Sequence, residues 1–205
     1  MKRVCLVAGM SKVIPDLTNC DYIGVDGGAI KCLKQGIKMQ VAIGDFDSIA
    51  NIELIELEKI TNVIQLSTHK NETDSEAAII YAIKHKYDEI ILYGGLGGRM
   101  DHELANLYLL IYRYPNLVLM NEDNRIRVLE VGTYYIPKEY TYLSFLALVP
   151  SDISEQGVAY PLDHAIISCS DIYTVSNEII EEAKITIHYG KVLMMESNDK
   201  EKQSK

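Results

Sequence analysis

Up to about residue 120 the chain alternates short β-branched apolar runs with stretches whose apolar residues recur at helical spacing. RVCLVAG, DYIGVDGG, VAIGDFDS, NVIQLS, DEIILYGG and NLVLMNE read as strands. AIKCLKQG, IANIELIELEKI, TDSEAAIIYAIKHKY and RMDHELANLYLLIYRY read as helices between them. The stretch before Tyr22 is interrupted by Pro15 and carries no clear element. Strands that have lost their polar positions and alternate with helices predict a mainly parallel sheet flanked by helices, an α/β domain. After about Asn121 the helical spacing stops. RIRVLEVGTYYI, TYLSFLALVP, HAIISCS and KITIHYGKVLMME are strand-like and separated by turn residues, which predicts a smaller antiparallel β domain. The expected division is therefore residues 1–122, residues 123–197, and a disordered tail over 198–205 that lacks apolar periodicity.

Composition narrows the partners. A chain of 205 residues with 48% hydrophobic content can bury a core in one or two domains. The four cysteines form no CxxC pair and no zinc spacing, and Met1 opens into structured-looking sequence without a signal peptide, so reduced thiols and a cytoplasmic location are expected. No apolar run reaches the roughly 18 residues of a spanning helix, so no membrane partner is expected. A net charge of −9 argues against nucleic acid. It leaves nucleotides open, because a divalent cation or a few basic residues can offset charge locally.

The acids fall in a pattern. Strands of an open parallel sheet end along one edge, where ligands bind, and carboxylates follow strands here. Asp26 ends IGVDGG, Asp45 and Asp47 flank Phe46 after VAIG, Asp74 opens the helix after VIQLS, and Asp101 opens the helix after IILYGGLGGR. Oxygen ligands delivered from distant segments to one rim suit a hard cation, and magnesium is the natural candidate. Each acid also has an ordinary structural explanation. Thr73-Asp74-Ser75-Glu76 fits a capping box, Asp101 sits in a first helical turn, Asp47 or Ser48 can cap the next helix, and Asp26-Gly27-Gly28 can be a turn. Caps account for one acid per helix start, however, whereas GDFDS offers two.

YGGLGGRMDH supplies the other half of a phosphate site. Gly94, Gly95, Gly97 and Gly98 let backbone approach a ligand, the following helix N-terminus presents amides, and Arg99 adds a forked donor. The loop lacks the lysine-serine/threonine of a P-loop and does not open the first helix as a dinucleotide fingerprint does. Lys70 is a second phosphate-facing cation, with a solvated loop lysine as the alternative.

GDFDS, KNETDSEAA and GGLGGRMDHELAN, in this order and setting, resemble the motifs of thiamine pyrophosphokinases, and GVAYPL and TVSNE resemble that family's C-terminal motifs. The resemblance spans nearly the whole chain up to the tail. It implies an α/β catalytic domain that binds ATP and Mg2+, a C-terminal β-sandwich that helps bind thiamine, and a homodimer with active sites between subunits. It also implies magnesium and catalytic roles for Asp45, Asp47, Asp74 and Asp101, with Arg99 catalytic and Asp26, Gly27, Lys70, Thr73, Gly97, Gly98 and Asn106 around the nucleotide. Two positions depart from the family. Asn71-Glu72 stands where many relatives carry an aspartate after the lysine, and Gly9-Met10 stands where they often carry Gly-Gly.

The reaction so implied moves the diphosphoryl group of ATP to the hydroxyl of thiamine, giving thiamine diphosphate and AMP. Positioning and electrostatics would supply most of the catalysis, with Asp74 or Asp101 orienting or deprotonating the hydroxyl and His102 in a capping or supporting place. Thiamine is cationic and aromatic, so Tyr160 is the expected stacking platform and Ser176 and Asn177 the expected polar partners. The alternatives are a nucleotide-binding sensor without catalysis and a diphosphokinase for another alcohol, such as a pterin.

Overall fold

The computed structural model describes residues 1–47 and 49–199. Ser48, a candidate cap, and most of the expected tail, Lys200 onward, lie outside the described residues. The chain divides into two compact units, one over Met1–Glu122 and one starting at Asp123.

The first unit contains β1 (Arg3–Val7), β2 (Cys20–Val25), α1 (Gly27–Lys34), β3 (Val41–Gly44), α2 (Asn51–Ile60), β4 (Asn62–Gln65), α3 (Asp74–Lys84), β5 (Glu89–Tyr93), α4 (Met100–Tyr108) and β6 (Leu117–Met120). Its strands lie in the order β6-β5-β1-β2-β3-β4, and all their pairings are parallel. Central strands β1 and β3 are buried on both faces almost throughout, which is why they read as continuous apolar runs. The chain leaves β1 toward β2 on one side and returns through β5 on the other. The boundary between β1 and β5 is therefore the switch point, where a crevice opens at the strand C-termini. Gly28 lets the start of α1 rest on the end of β1, since a Cβ there would stand 1.9 Å from the Val7 carbonyl oxygen.

Helix boundaries differ from those expected. The helix expected to run to Tyr114 leaves α geometry after Tyr108 and finishes as a π turn over Leu109–Arg113. Ala50 rather than Asp47 precedes α2, with no side-chain cap. Thr73 does cap α3 by accepting the Glu76 amide at 3.1 Å. The reciprocal half of the capping box is missing, because the buried Glu76 carboxylate turns to Arg113 and to the Tyr114 hydroxyl.

The second unit is antiparallel: β7 (Asn124–Leu129), β8 (Gly132–Ile136), β9 (Tyr142–Ala147), β10 (Ser151–Val158), β11 (Leu162–Ile167), β12 (Asn177–Tyr189) and β13 (Val192–Ser197). β7, β13, β9 and the start of β12 form one sheet, and β11, β10, the rest of β12 and β8 form the other. Leu143, Phe145 and Met194 from the first meet Ile153, Ile167 and Ile185 from the second in one apolar core. β10 is absent from the sequence reading. Two of its inward positions are Ser151 and Glu155, so the apolar alternation that marks a strand is broken. Order also runs past residue 197: Asn198 accepts from the Thr141 amide at 2.8 Å and donates to the Asp123 carbonyl at 2.9 Å. Among the described residues no helix is long and apolar enough to cross a membrane.

Candidate active site

The GDFDS loop shows how a short segment turns two acids outward together. Phe46 is buried in the core of the first unit while its backbone takes φ 55°, a conformation that bulky residues rarely adopt. The anchored ring and the left-handed turn leave Asp45 and Asp47 on either side, with the Asp47 amide donating to Asp45 Oδ1 at 3.4 Å. Asp26, at the end of β2, is likewise held at positive φ, 44°. Strained positions of this kind persist only where surrounding structure enforces them.

Four carboxylates lie near one another, and two of them reach one lysine. Lys70 Nζ lies 3.0 Å from Asp74 Oδ1 and 3.8 Å from Asp45 Oδ2. Asp26 feels the cluster. Its carboxyl is pushed above the usual range by burial first, then by the negative charges of Asp74, Asp45 and Asp47, against a lowering hydrogen bond from the Gly27 amide. Asp26 Oδ1 is buried and has no hydrogen-bond partner among the described residues.

Asp26, Lys70 and Asp74 border a crevice of about 410 Å³ at the switch point, which residues 8–10, Gly94 and Gly95 also line, whereas Asp45 and Asp47 stand outside that lining. Asp26, Lys70, Thr73 and Asp74 line one wall and Gly98, Arg99, His102 and Asn106 the other. Gly94 at φ 74° brings the end of β5 against Ser11, where a Cβ would stand 2.4 Å from the Ser11 nitrogen. Asn106 is buried and donates to the Gly95 carbonyl at 2.8 Å, so it shapes the loop.

Three expected features are placed differently. Asp101 does not line the crevice; its carboxylate takes a two-point grip from Arg99, at 2.6 and 3.1 Å, which holds it below the usual carboxylate range. Gly27 and Gly97 also lie off the crevice lining. The Gly97 and Gly98 amides, expected to face phosphate, both donate to Glu103 Oε1, at 2.9 and 2.6 Å. Nothing in the motif pattern singles out Glu103. Its position one turn into the helix after a glycine-rich loop was the available signal.

In the second unit Tyr160 is exposed, and its backbone is held by Asn177, whose Oδ1 accepts the Tyr160 amide at 2.9 Å while Nδ2 donates to the Tyr160 carbonyl at 2.8 Å. Asn177 is itself buried, whereas Ser176 is exposed at φ 60°.

Fold and crevice together make the chain a two-unit protein whose α/β unit carries a strand-end crevice lined by carboxylates and basic side chains. Comparison with known proteins narrows this. Residues 17–120 match the family described as "Thiamin pyrophosphokinase, catalytic domain", and residues 133–193 match "Thiamin pyrophosphokinase, vitamin B1 binding domain". The chain is 34% identical to thiamine pyrophosphokinase of Bacillus subtilis, over 97% of this chain and 100% of that one. It superposes on a crystal structure of thiamine pyrophosphokinase from Bacillus subtilis with TM-score 0.86 at 30% identity, covering 97% of this chain and 100% of that one. A thiamin pyrophosphokinase family protein from Enterococcus faecalis gives TM-score 0.85 at 30% identity with the same coverage. The chain belongs to the thiamin pyrophosphokinase family.

Proposed function

We propose that the chain transfers the diphosphoryl group of ATP to the primary hydroxyl of thiamine, releasing thiamine diphosphate and AMP. The observation that carries this reading is the cluster of Asp26, Asp45, Asp47 and Asp74, of which Asp45 and Asp74 reach Lys70 and Asp26 and Asp74 line the switch-point crevice. In this reading the crevice holds the triphosphate, and the hydroxyl oxygen attacks the β-phosphorus as the bond to the oxygen bridging to the α-phosphorus breaks. Lys70 and Arg99 would meet phosphoryl charge, and Asn106 would hold the loop that shapes the cradle. Asp74 is better placed than Asp101 to orient the hydroxyl or take its proton, since it lines the crevice and Asp101 does not.

The donor set suits magnesium, for the carboxylate oxygens are hard and Asp26 Oδ1 is buried without a partner among the described residues. Asp45, Asp47 and Asp74 would hold the ion with Asp26, and Asp101 stays with Arg99. When bound, the ion would neutralise charge on the phosphoryl oxygens. In the second unit Tyr160 would offer its exposed ring to thiamine with Ser176 beside it, while Asn177 fixes the Tyr160 backbone. The reading includes a homodimer with active sites between subunits, open to light scattering. It also includes a cytoplasmic setting, which the four unpaired cysteines suit.

The deciding experiment incubates the chain with ATP, magnesium and thiamine and separates the products by chromatography. AMP and thiamine diphosphate in equal amounts are expected. ADP with thiamine monophosphate, or ATP binding without turnover, overturns the reading.

A further inference from the structure

A second constellation lies on the outward face of β10, in the second unit. Ser151, Ile153 and Glu155 point into the core, so Asp152 and Ser154 point outward. Both neighbouring strands bulge beside them. On β12, Asp152 pairs with Tyr189 and Ile153 with Ile187, leaving His188 as the extra residue. On β11, Ile153 pairs with Ala165 and Glu155 with Leu162, so that Asp163 and His164 stand opposite Ser154 alone. His164 takes φ 48° there. Bulges re-aim side chains, and these two bring imidazoles from opposite sides of β10 into a stack, with centroids 3.9 Å apart and planes 25° apart.

The polar contacts converge on the same place. Asp152 Oδ2 lies 3.1 Å from His164 Nδ1, and Ser154 Oγ lies 2.8 Å from His188 Nε2 while accepting the His164 amide at 3.0 Å. Asp152 Oδ1 is buried and has no partner among the described residues. One ligand atom from each of Asp152, His164 and His188 lies within 4.8 Å of the other two. Neighbouring ligands of a tetrahedral zinc ion stand about 3.3 Å apart, so small rotations of two exposed imidazoles close the set.

We propose that Asp152, His164 and His188 form a site for a borderline divalent transition-metal ion of the zinc class, with the remaining position filled by water or the Ser154 hydroxyl. Two imidazole nitrogens and one carboxylate oxygen favour such an ion over magnesium, which separates this site chemically from the all-carboxylate cluster of the first unit. Because its ligands come from β10, β11 and β12, bound metal ties three strands together and stabilises the folded chain by mass action.

The test uses the full chain without an affinity tag, stripped with chelator and titrated with Co2+ and then Zn2+. One Co2+ per chain with the visible bands of a low-symmetry nitrogen/oxygen site, displaced by Zn2+, is expected. Outer-shell partners of a metal account for 10–100-fold in affinity, so losing a direct ligand in His164→Ala or His188→Ala should weaken binding about 100-fold or more. Zinc should raise the unfolding temperature of the parent chain but not of these variants, whose exposed positions leave the fold intact by circular dichroism. Asp45→Asn and His69→Ala, the latter at an exposed histidine in the first-unit loop just before Lys70, should leave the Co2+ spectrum unchanged. An unaltered titration in both histidine variants, or loss of the signal in Asp45→Asn or His69→Ala instead, overturns the proposal.

Discussion

Glu103 accepts the amide of Gly98 at 2.6 Å, and through the same oxygen that of Gly97 at 2.9 Å, so a carboxylate occupies the donors that a phosphate would use. The side chain stands in for an anion, and a triphosphate reaching these amides must displace it. Glu103→Gln keeps an acceptor oxygen but removes the charge that strengthens the hold and repels phosphate. The dissociation constant for ATP should fall several-fold, about 1 kcal/mol, with the circular dichroism spectrum unchanged. Calorimetric titration checks it. An unchanged or weaker affinity would mean that Glu103 braces the loop without competing for it.

Asp26→Asn should show opposite signs for activity and stability, and Asp45→Asn a loss of activity. Asp26→Asn and Asp45→Asn each remove one charge from a crowded set and with it an oxygen ligand, so turnover should drop about 100-fold or more. In the absence of ligands, Asp26→Asn relieves burial and repulsion of its carboxylate and should gain stability, by less than about 1 kcal/mol after allowing for solvent screening. Thermal unfolding in chelator and a product assay make the pair of measurements. A folded Asp45→Asn with normal turnover would remove this cluster from the chemistry.

The α/β alternation is legible because central strands buried on both faces leave a continuous apolar signature, and the GDFDS acids are legible because two carboxylates exceed what one cap needs. Side-chain allegiance is not legible in this way. Asp101 looks like Asp74 in sequence, each in the first turn of a helix after a strand, yet Asp74 meets Lys70 and Asp101 meets Arg99, two residues away. Asn177 reads as a ligand residue from its motif, but its amide is consumed by the Tyr160 backbone and by Glu155, a residue on a strand too polar inside to be recognised.

That network separates Tyr160 from Asn177. Tyr160 is 77% exposed, so Tyr160→Ala should leave stability within about 0.5 kcal/mol while raising the thiamine dissociation constant several-fold, the loss of a flat contact worth on the order of 1 kcal/mol. Asn177→Ala should also weaken thiamine binding, because the Tyr160 backbone loses both clamps. It should in addition destabilise the chain by about 1–3 kcal/mol, since buried partners are left unsatisfied. ATP binding should change little in either variant. Equal loss of thiamine and ATP affinity in Tyr160→Ala would sink this division of roles.

Glu155 makes the stability of the chain depend on pH. It is 1% exposed, Oε2 accepts from Asn177 Nδ2 at 3.1 Å, and Oε1 has no partner among the described residues. Burial pushes its carboxyl up to about 7, and the Asn177 hydrogen bond recovers only part of that rise. In the unfolded chain the same group titrates near the ordinary value of about 4.3. Between these values the folded chain keeps a proton that the unfolded chain has released, so the contribution of Glu155 to stability falls as pH rises through the window and levels off above about 7. Glu155→Gln is neutral at every pH. Its unfolding free energy should match the parent near pH ~4 and exceed it by on the order of 3–4 kcal/mol near pH ~8. Taking the difference between the two proteins cancels the carboxylates elsewhere that titrate in the acid range. Urea unfolding across this range measures the difference. Parallel curves for parent and variant would show that Glu155 ionises equally in both states, and that water or a moving side chain meets its second oxygen.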